Sequence, residues 1–136
     1  MTIYLIDASA WHRAQRIADE WAERLQAGSL AICNPSRLEI LFSARSAHDY
    51  GELLIELLAL RQVPCKDEQF DRAIEVQQLL AQQGGVHHRS VKIPDLLVAA
   101  SAEAAGAIVW HYDEDFDRIA AVTGQPTEWI APRGSL

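Results

Sequence analysis

The sequence predicts an α/β domain built on a parallel sheet with helices on both faces. Three observations carry this. Short apolar runs rich in β-branched residues alternate with longer stripes at helical spacing, the signature of repeated right-handed crossovers. The 136 residues, 49% hydrophobic and 23% charged, are enough for one buried core without disulfides or a structural metal. No repeat, linker or low-complexity stretch divides the chain, so residues 1–136 are expected to form a single domain.

Thr2 to Ile6 (TIYLI) is a continuous apolar run suited to a strand buried on both faces. From Ser9, small or apolar residues recur at Trp11, Ala14, Ala18, Trp21, Ala22 and Leu25 with charges between them, which predicts one amphipathic helix ended by Gly28. Leu30 to Cys33 is a second buried strand. Asn34-Pro35 then offers a cap and a first-turn proline for a helix from Pro35 to about Ala44. Stripes at Tyr50 to Leu58 and Phe70 to Ala81 predict two further helices, the second closed by Gly84-Gly85, with a weak strand at Val63-Pro64-Cys65 between them. A helix from Asp95 to about Ala105 follows Pro94, apolar nearly all round and therefore interior. Ala107 to Tyr112 is a strand, Phe116 to Val122 a helix and Thr127 to Ile130 a last strand. The predicted order is β-α-β-α-α-β-α-α-β-α-β.

Twelve Lys and Arg against nineteen Asp and Glu give a formal charge of -7, which excludes broad electrostatic adhesion to nucleic acid or anionic membrane and leaves only local contacts. No apolar stretch approaches the ~20 residues needed to span a bilayer, and Asp7 interrupts the N-terminal run before it could serve as a signal-peptide core. Cys33 and Cys65 have no Cys or His at metal spacing and read as buried thiols of a reducing compartment. The expected location is cytoplasmic, without membrane contact.

Carboxylates stand where structural logic alone would not select them. Asp7 follows the first strand, Glu39 interrupts Leu38-Glu39-Ile40-Leu41-Phe42, Asp95 is the only charge in the opening turns of an interior helix, and Asp113, Glu114, Asp115 and Asp117 cluster after a strand. Each has a plain alternative: a helix cap for Asp7, a solvent-facing position for Glu39, a favourable helix-dipole contact for Asp95, and a capping loop for the last cluster. Taken together they can converge at the carboxyl ends of the strands, where open parallel sheets bind ligands. Gathered carboxylates repel unless a cation neutralises them. All-oxygen donors select a hard ion, Mg²⁺ or Mn²⁺ rather than Zn²⁺. A calcium loop starting at Asp113 fails, because Arg118 and Gly124 stand where Gly and Glu are needed.

YLIDASAW, RLEILFSAR, IPDLLVAASAEAAG and HYDEDFDRIA, in this order along nearly the whole chain, closely resemble the PIN-domain ribonucleases, and within them the VapC toxins of bacterial toxin-antitoxin pairs. The resemblance implies a three-layer α/β/α sandwich with a central parallel sheet. It also implies Mg²⁺- or Mn²⁺-dependent endonucleolytic cleavage of RNA and neutralisation by a cognate VapB-type antitoxin. Carried over residue by residue, it places the catalytic acids at Asp7, Glu39, Asp95 and Asp113, with Asp7, Asp95, Asp113 and an auxiliary Asp115 on the metal. Ser9 corresponds to the small hydroxyl residue that orients a carboxylate or a metal-bound water, although a helix-start serine explains it equally.

RNA phosphates would meet local cations, with Arg13, Arg16, Arg89, Lys92 and Arg133 as candidates against ordinary solvated positions; Arg118 is expected to pair with nearby acids. His87-His88 fits a polar loop and His111 a core histidine. The stripes of Trp11, Trp21 and Tyr50 to Leu60 fit either ordinary core or a surface for a homodimer or an antitoxin. A dehalogenase-type phosphatase and a receiver-like signalling domain are excluded for want of a late lysine, the last being Lys92. A PIN-like module that binds RNA or a partner without cutting remains the alternative.

Overall fold

The computed structural model describes all residues 1–136 and holds a five-stranded, wholly parallel sheet in the order β3-β2-β1-β4-β5. The strands are β1 (Tyr4–Ile6), β2 (Leu30–Cys33), β3 (Arg61–Val63), β4 (Ile108–His111) and β5 (Thr127–Trp129). Strand alternation splits their side chains between two cores. Leu5, Ala31, Cys33, Val63 and Val109 pack with residues of helices α5 (Asp67–Gln82), α6 (Ile93–Ala105) and α7 (Asp115–Thr123). Ile6, Leu30, Ile32 and Trp110 pack on the opposite face with α1 (Ala8–Trp11), α3 (Asn34–Phe42) and α4 (Ala47–Leu58). Helices on both faces make the expected three-layer α/β/α sandwich.

The predicted element order holds with one correction. The helix expected to run unbroken from Ser9 to Gly28 is divided into α1, a 3-10 turn (Ala14–Ile17) and α2 (Ala18–Gln26). Trp11 and Trp21 explain the break. In a continuous helix ten residues would separate them by about 15 Å, whereas their rings lie 6.1 Å apart, edge to face, and Trp21 stacks on Trp110 of β4 at 5.8 Å. Folding the segment back lets both indoles cover the sheet, a tertiary gain that periodicity along a single helix cannot register.

The strand expected at Val63-Pro64-Cys65 lies two residues earlier, at Arg61–Val63, and stops before Pro64, which has no N–H to give to a ladder. Capping follows the local chemistry: the Ser46 hydroxyl accepts the Asp49 N–H at the start of α4, and Pro94 opens the first turn of α6. Gly106 takes φ 65° to close α6, a conformation costly for any residue with a Cβ. No helix is long and apolar enough to cross a membrane.

The topology positions the site. From β1 the chain moves to one side through β2 and β3 and returns to the other side for β4 and β5. The switch point therefore falls between β1 and β4, beyond whose carboxyl ends Asp7 and Asp113 emerge.

Candidate active site

Asp7 leaves β1 and caps α1. One of its oxygens accepts the Ala10 N–H at 3.0 Å, and the Ser9 hydroxyl lies 2.7 Å from both. That hydroxyl also accepts the Tyr112 N–H at 2.9 Å, so Ser9 bolts the end of β1 to the residue after β4. The helix cap that the sequence offers for Asp7 is present. Burial pushes its carboxyl up to about 6, against the lowering effect of the Ser9 and Ala10 hydrogen bonds, and the charge of Asp113 adds to the rise.

Asp95, in the first turn of α6, is 3% exposed. Its Oδ2 is buried without a hydrogen bond. Burial, its contact with Asp115 and the nearby charges of Asp113 and Asp7 hold it well above the usual carboxylate range, against the pull of Lys92. Asp113, half-buried in the loop after β4, accepts the Asp115 N–H at 2.9 Å, and its own N–H donates to His111 Nδ1 at 3.1 Å. Asp115 starts α7, is buried, and accepts from the Lys92 N–H at 3.0 Å and from Arg118 at 3.0 Å. Burial raises its carboxyl, but its contact with Asp95, the hydrogen bonds from Lys92 and the ammonium charge outweigh this and leave it below the ordinary value. Donor oxygens of Asp95, Asp113 and Asp115 lie within 4.8 Å of one another. Asp7 stands just outside that group, within electrostatic reach of it.

Glu39 sits midway along α3, half-buried and without a hydrogen-bond or ion-pair partner. Its carboxyl is raised by burial and by Asp113 and lowered by Lys92 and His12, which sets it at the border of the same acidic group. The helices α1, α3 and α6 and the β4-α7 loop thus each bring a carboxylate to the same neighbourhood. Three buried or half-buried carboxylates with an orphaned oxygen and no sulfur or imidazole donor fit a hard divalent ion.

The candidate RNA-contact cations take different positions. Arg13 donates to the Ser9 carbonyl at 3.0 Å and lies 4.7 Å over the Tyr112 ring, beside Asp7. Arg16 and Arg89 are exposed on the two 3-10 turns, and Arg133 pairs with Glu114. Lys92 lies inside the site, with Nζ 2.7 Å from Asp113 and 2.9 Å from Asp115. Sequence reasoning missed that inward placement, although Lys92 and Asp95 at i,i+3 across a helix start carried the signal. His111 is the core histidine expected from the sequence, and its contact with the backbone of Asp113 adds to that reading. Buried between Phe116 and Trp129, and lowered by burial to about 4, this imidazole is neutral and holds the backbone of Asp113.

The PIN-domain family model matches residues 4–122. Ribonuclease VapC18 of Mycobacterium tuberculosis is 55% identical over 136 residues, covering 98% of this chain and 99% of that protein. Ribonuclease VapC21 of the same species is 44% identical over 137 residues, 98% of each. Among solved structures, VapBC2 from Rickettsia felis bound to a promoter DNA fragment aligns with TM-score 0.75 at 19% identity, covering 96% of this chain and 100% of that one. DNA-bound VapBC from Salmonella typhimurium aligns with TM-score 0.71 at 14% identity, covering 95% and 98%.

Proposed function

Because this chain belongs to the PIN-domain family and lies among its VapC ribonucleases, we propose that it is the endoribonuclease toxin of a type II toxin-antitoxin pair. Its substrate is RNA, its inhibitor a VapB-type antitoxin, and its compartment the cytoplasm. The observation that carries the catalytic reading is the buried Oδ2 of Asp95, which has no hydrogen bond and only the Lys92 ammonium at 3.4 Å, beside the carboxylates of Asp113 and Asp115, an arrangement that costs stability unless a divalent cation completes it. A module that only binds RNA has no use for that arrangement.

In this reading Asp95, Asp113 and Asp115, with Asp7 beside them, hold Mg²⁺ or Mn²⁺. When bound, the ion lowers the pKa of water and offsets the charge that builds on the phosphate. The chain's own residues supply the rest. Glu39, whose raised carboxyl makes it a better base, orients the attacking water and takes its proton as the new P–O bond forms and the ester P–O bond breaks, the departing ribose oxygen taking a proton from solvent. Ser9 fixes the rotamer of Asp7. Arg13 at the rim, with Arg16, Arg89, Arg133 and Lys92, meets the RNA phosphates, so a net-negative protein binds a polyanion through a few local charges.

The test is cleavage of end-labelled RNA by purified protein. We expect cuts with Mn²⁺ or Mg²⁺, none with EDTA, and a rate loss greater than about a hundredfold in Asp95→Asn, beyond what loss of a supporting residue costs. Undiminished cutting by that variant would sink the assignment.

A further inference from the structure

The chain carries its own cation inside the acidic group. Lys92 Nζ lies 2.7 Å from Asp113 Oδ2, 2.9 Å from Asp115 Oδ2 and 3.4 Å from Asp95 Oδ2. These three residues are the ones whose donor oxygens gather within 4.8 Å, so the ammonium and a divalent ion address the same lone pairs. A point charge with three donors satisfies this group incompletely: Asp95 Oδ2 remains without a hydrogen bond. A divalent ion with its larger coordination number would reach all three carboxylates.

Two features make the ammonium removable. The Lys92 backbone is anchored independently, its N–H donating to Asp115 Oδ2 at 3.0 Å and its carbonyl accepting the Asp95 N–H at 3.1 Å, so the start of α6 does not depend on the side chain. That side chain is 59% exposed, and a lysine stem can carry its head back into water at small desolvation cost.

We propose that Lys92 is a built-in counter-ion: it holds the acidic group together in the metal-free protein and is displaced into solvent when a divalent cation binds. The proposal rests on the reading of Asp95, Asp113 and Asp115 as metal-binding residues. Lys92 thereby lowers the affinity for the ion while protecting the metal-free fold from the mutual repulsion of its acids.

The chain has only two lysines, Lys66 and Lys92, and Lys66 is exposed, which makes amine labelling read by mass spectrometry a direct test on the unmodified protein. With chelator present, Lys92 should label more slowly than Lys66. Saturating Mn²⁺ should raise Lys92 labelling severalfold and leave Lys66 unchanged. Calorimetric Mn²⁺ titrations complete the test. Lys92→Met should bind at least about tenfold more tightly than the wild type, equivalent to about 1.4 kcal/mol. It should also melt lower than the wild type in chelator but not in Mn²⁺. Lys92→Gln serves the same purpose if the methionine variant does not fold. If the wild type binds Mn²⁺, Asp95→Asn does not, and Lys92 labelling and affinity are indifferent to the ion and to the substitution, the counter-ion idea fails while the metal site stands. Absence of Mn²⁺ binding in the wild type and both Lys92 variants overturns both.

Discussion

Asp7 does two jobs with one carboxyl, and they respond to pH in opposite senses. As a cap it is favoured ionised; as a group 3% exposed it is favoured protonated, and burial prevails, raising it from 3.8 to about 6. A folded-state value above the unfolded one means that this stabilising effect is complete below pH ~4 and is lost as pH rises through about 6. His111 acts the other way: its value, lowered to about 4, costs stability as pH falls below the ordinary imidazole range. Subtracting the wild type from Asp7→Asn cancels the histidine. In chelator, the variant should match the wild type near pH 4 and gain on it up to about pH 6, reaching no more than about 3 kcal/mol, then stay level. Thermal or denaturant melts across that range check this, and a difference independent of pH would contradict the burial argument. Asn also caps well, so the helix start survives the substitution.

At the scale of elements, what the sequence reveals and what it hides divide along a physical line. Runs such as TIYLI, LAIC and AIVWHY announce buried parallel strands, and Asn34-Pro35, Pro94 and Gly106 mark helix boundaries, because these signals are local. The acids at strand ends and helix starts were legible for the same reason: the positions of parallel strand ends in space follow from the α/β class. The break between α1 and α2 was not legible, since it depends on Trp21 finding Trp110 on a strand far away in sequence. Nor was the inward turn of Lys92, which depends on Asp113 and Asp115 arriving from β4 and α7. Trp21→Ala should therefore cost more than its partial exposure suggests, roughly 2–4 kcal/mol. It removes the stack on Trp110 and one wall of the cleft of ≈360 Å³ lined by Trp11, Ala18 and Leu53. Urea denaturation measures it; a cost below about 1 kcal/mol would mean that the fold-back is held by other contacts.

Across the whole molecule the apolar surface is uneven. Phe70, Ile74 and Ile93 line one shallow apolar cleft between α5 and α6, with Ile74 63% and Ile93 65% exposed. Exposed apolar side chains gathered in one cleft are a place where a partner can dock. If the homodimer expected from the sequence forms through this face rather than through the stripe of Trp11, Trp21 and Tyr50 to Leu60, light scattering should give twice the 15.1 kDa chain mass, and Ile74→Asp should return the monomer mass without lowering the melting temperature by more than a surface change does. A monomeric wild type at tens of micromolar would reject this face. The strand order has an effect in time as well as in space. Central β1 is synthesised long before its neighbour β4 and the acids just after it. No fragment stopping before Asp113 can assemble the acidic group, so a ribosome making this enzyme is spared its activity until the segment beyond β4 has been made.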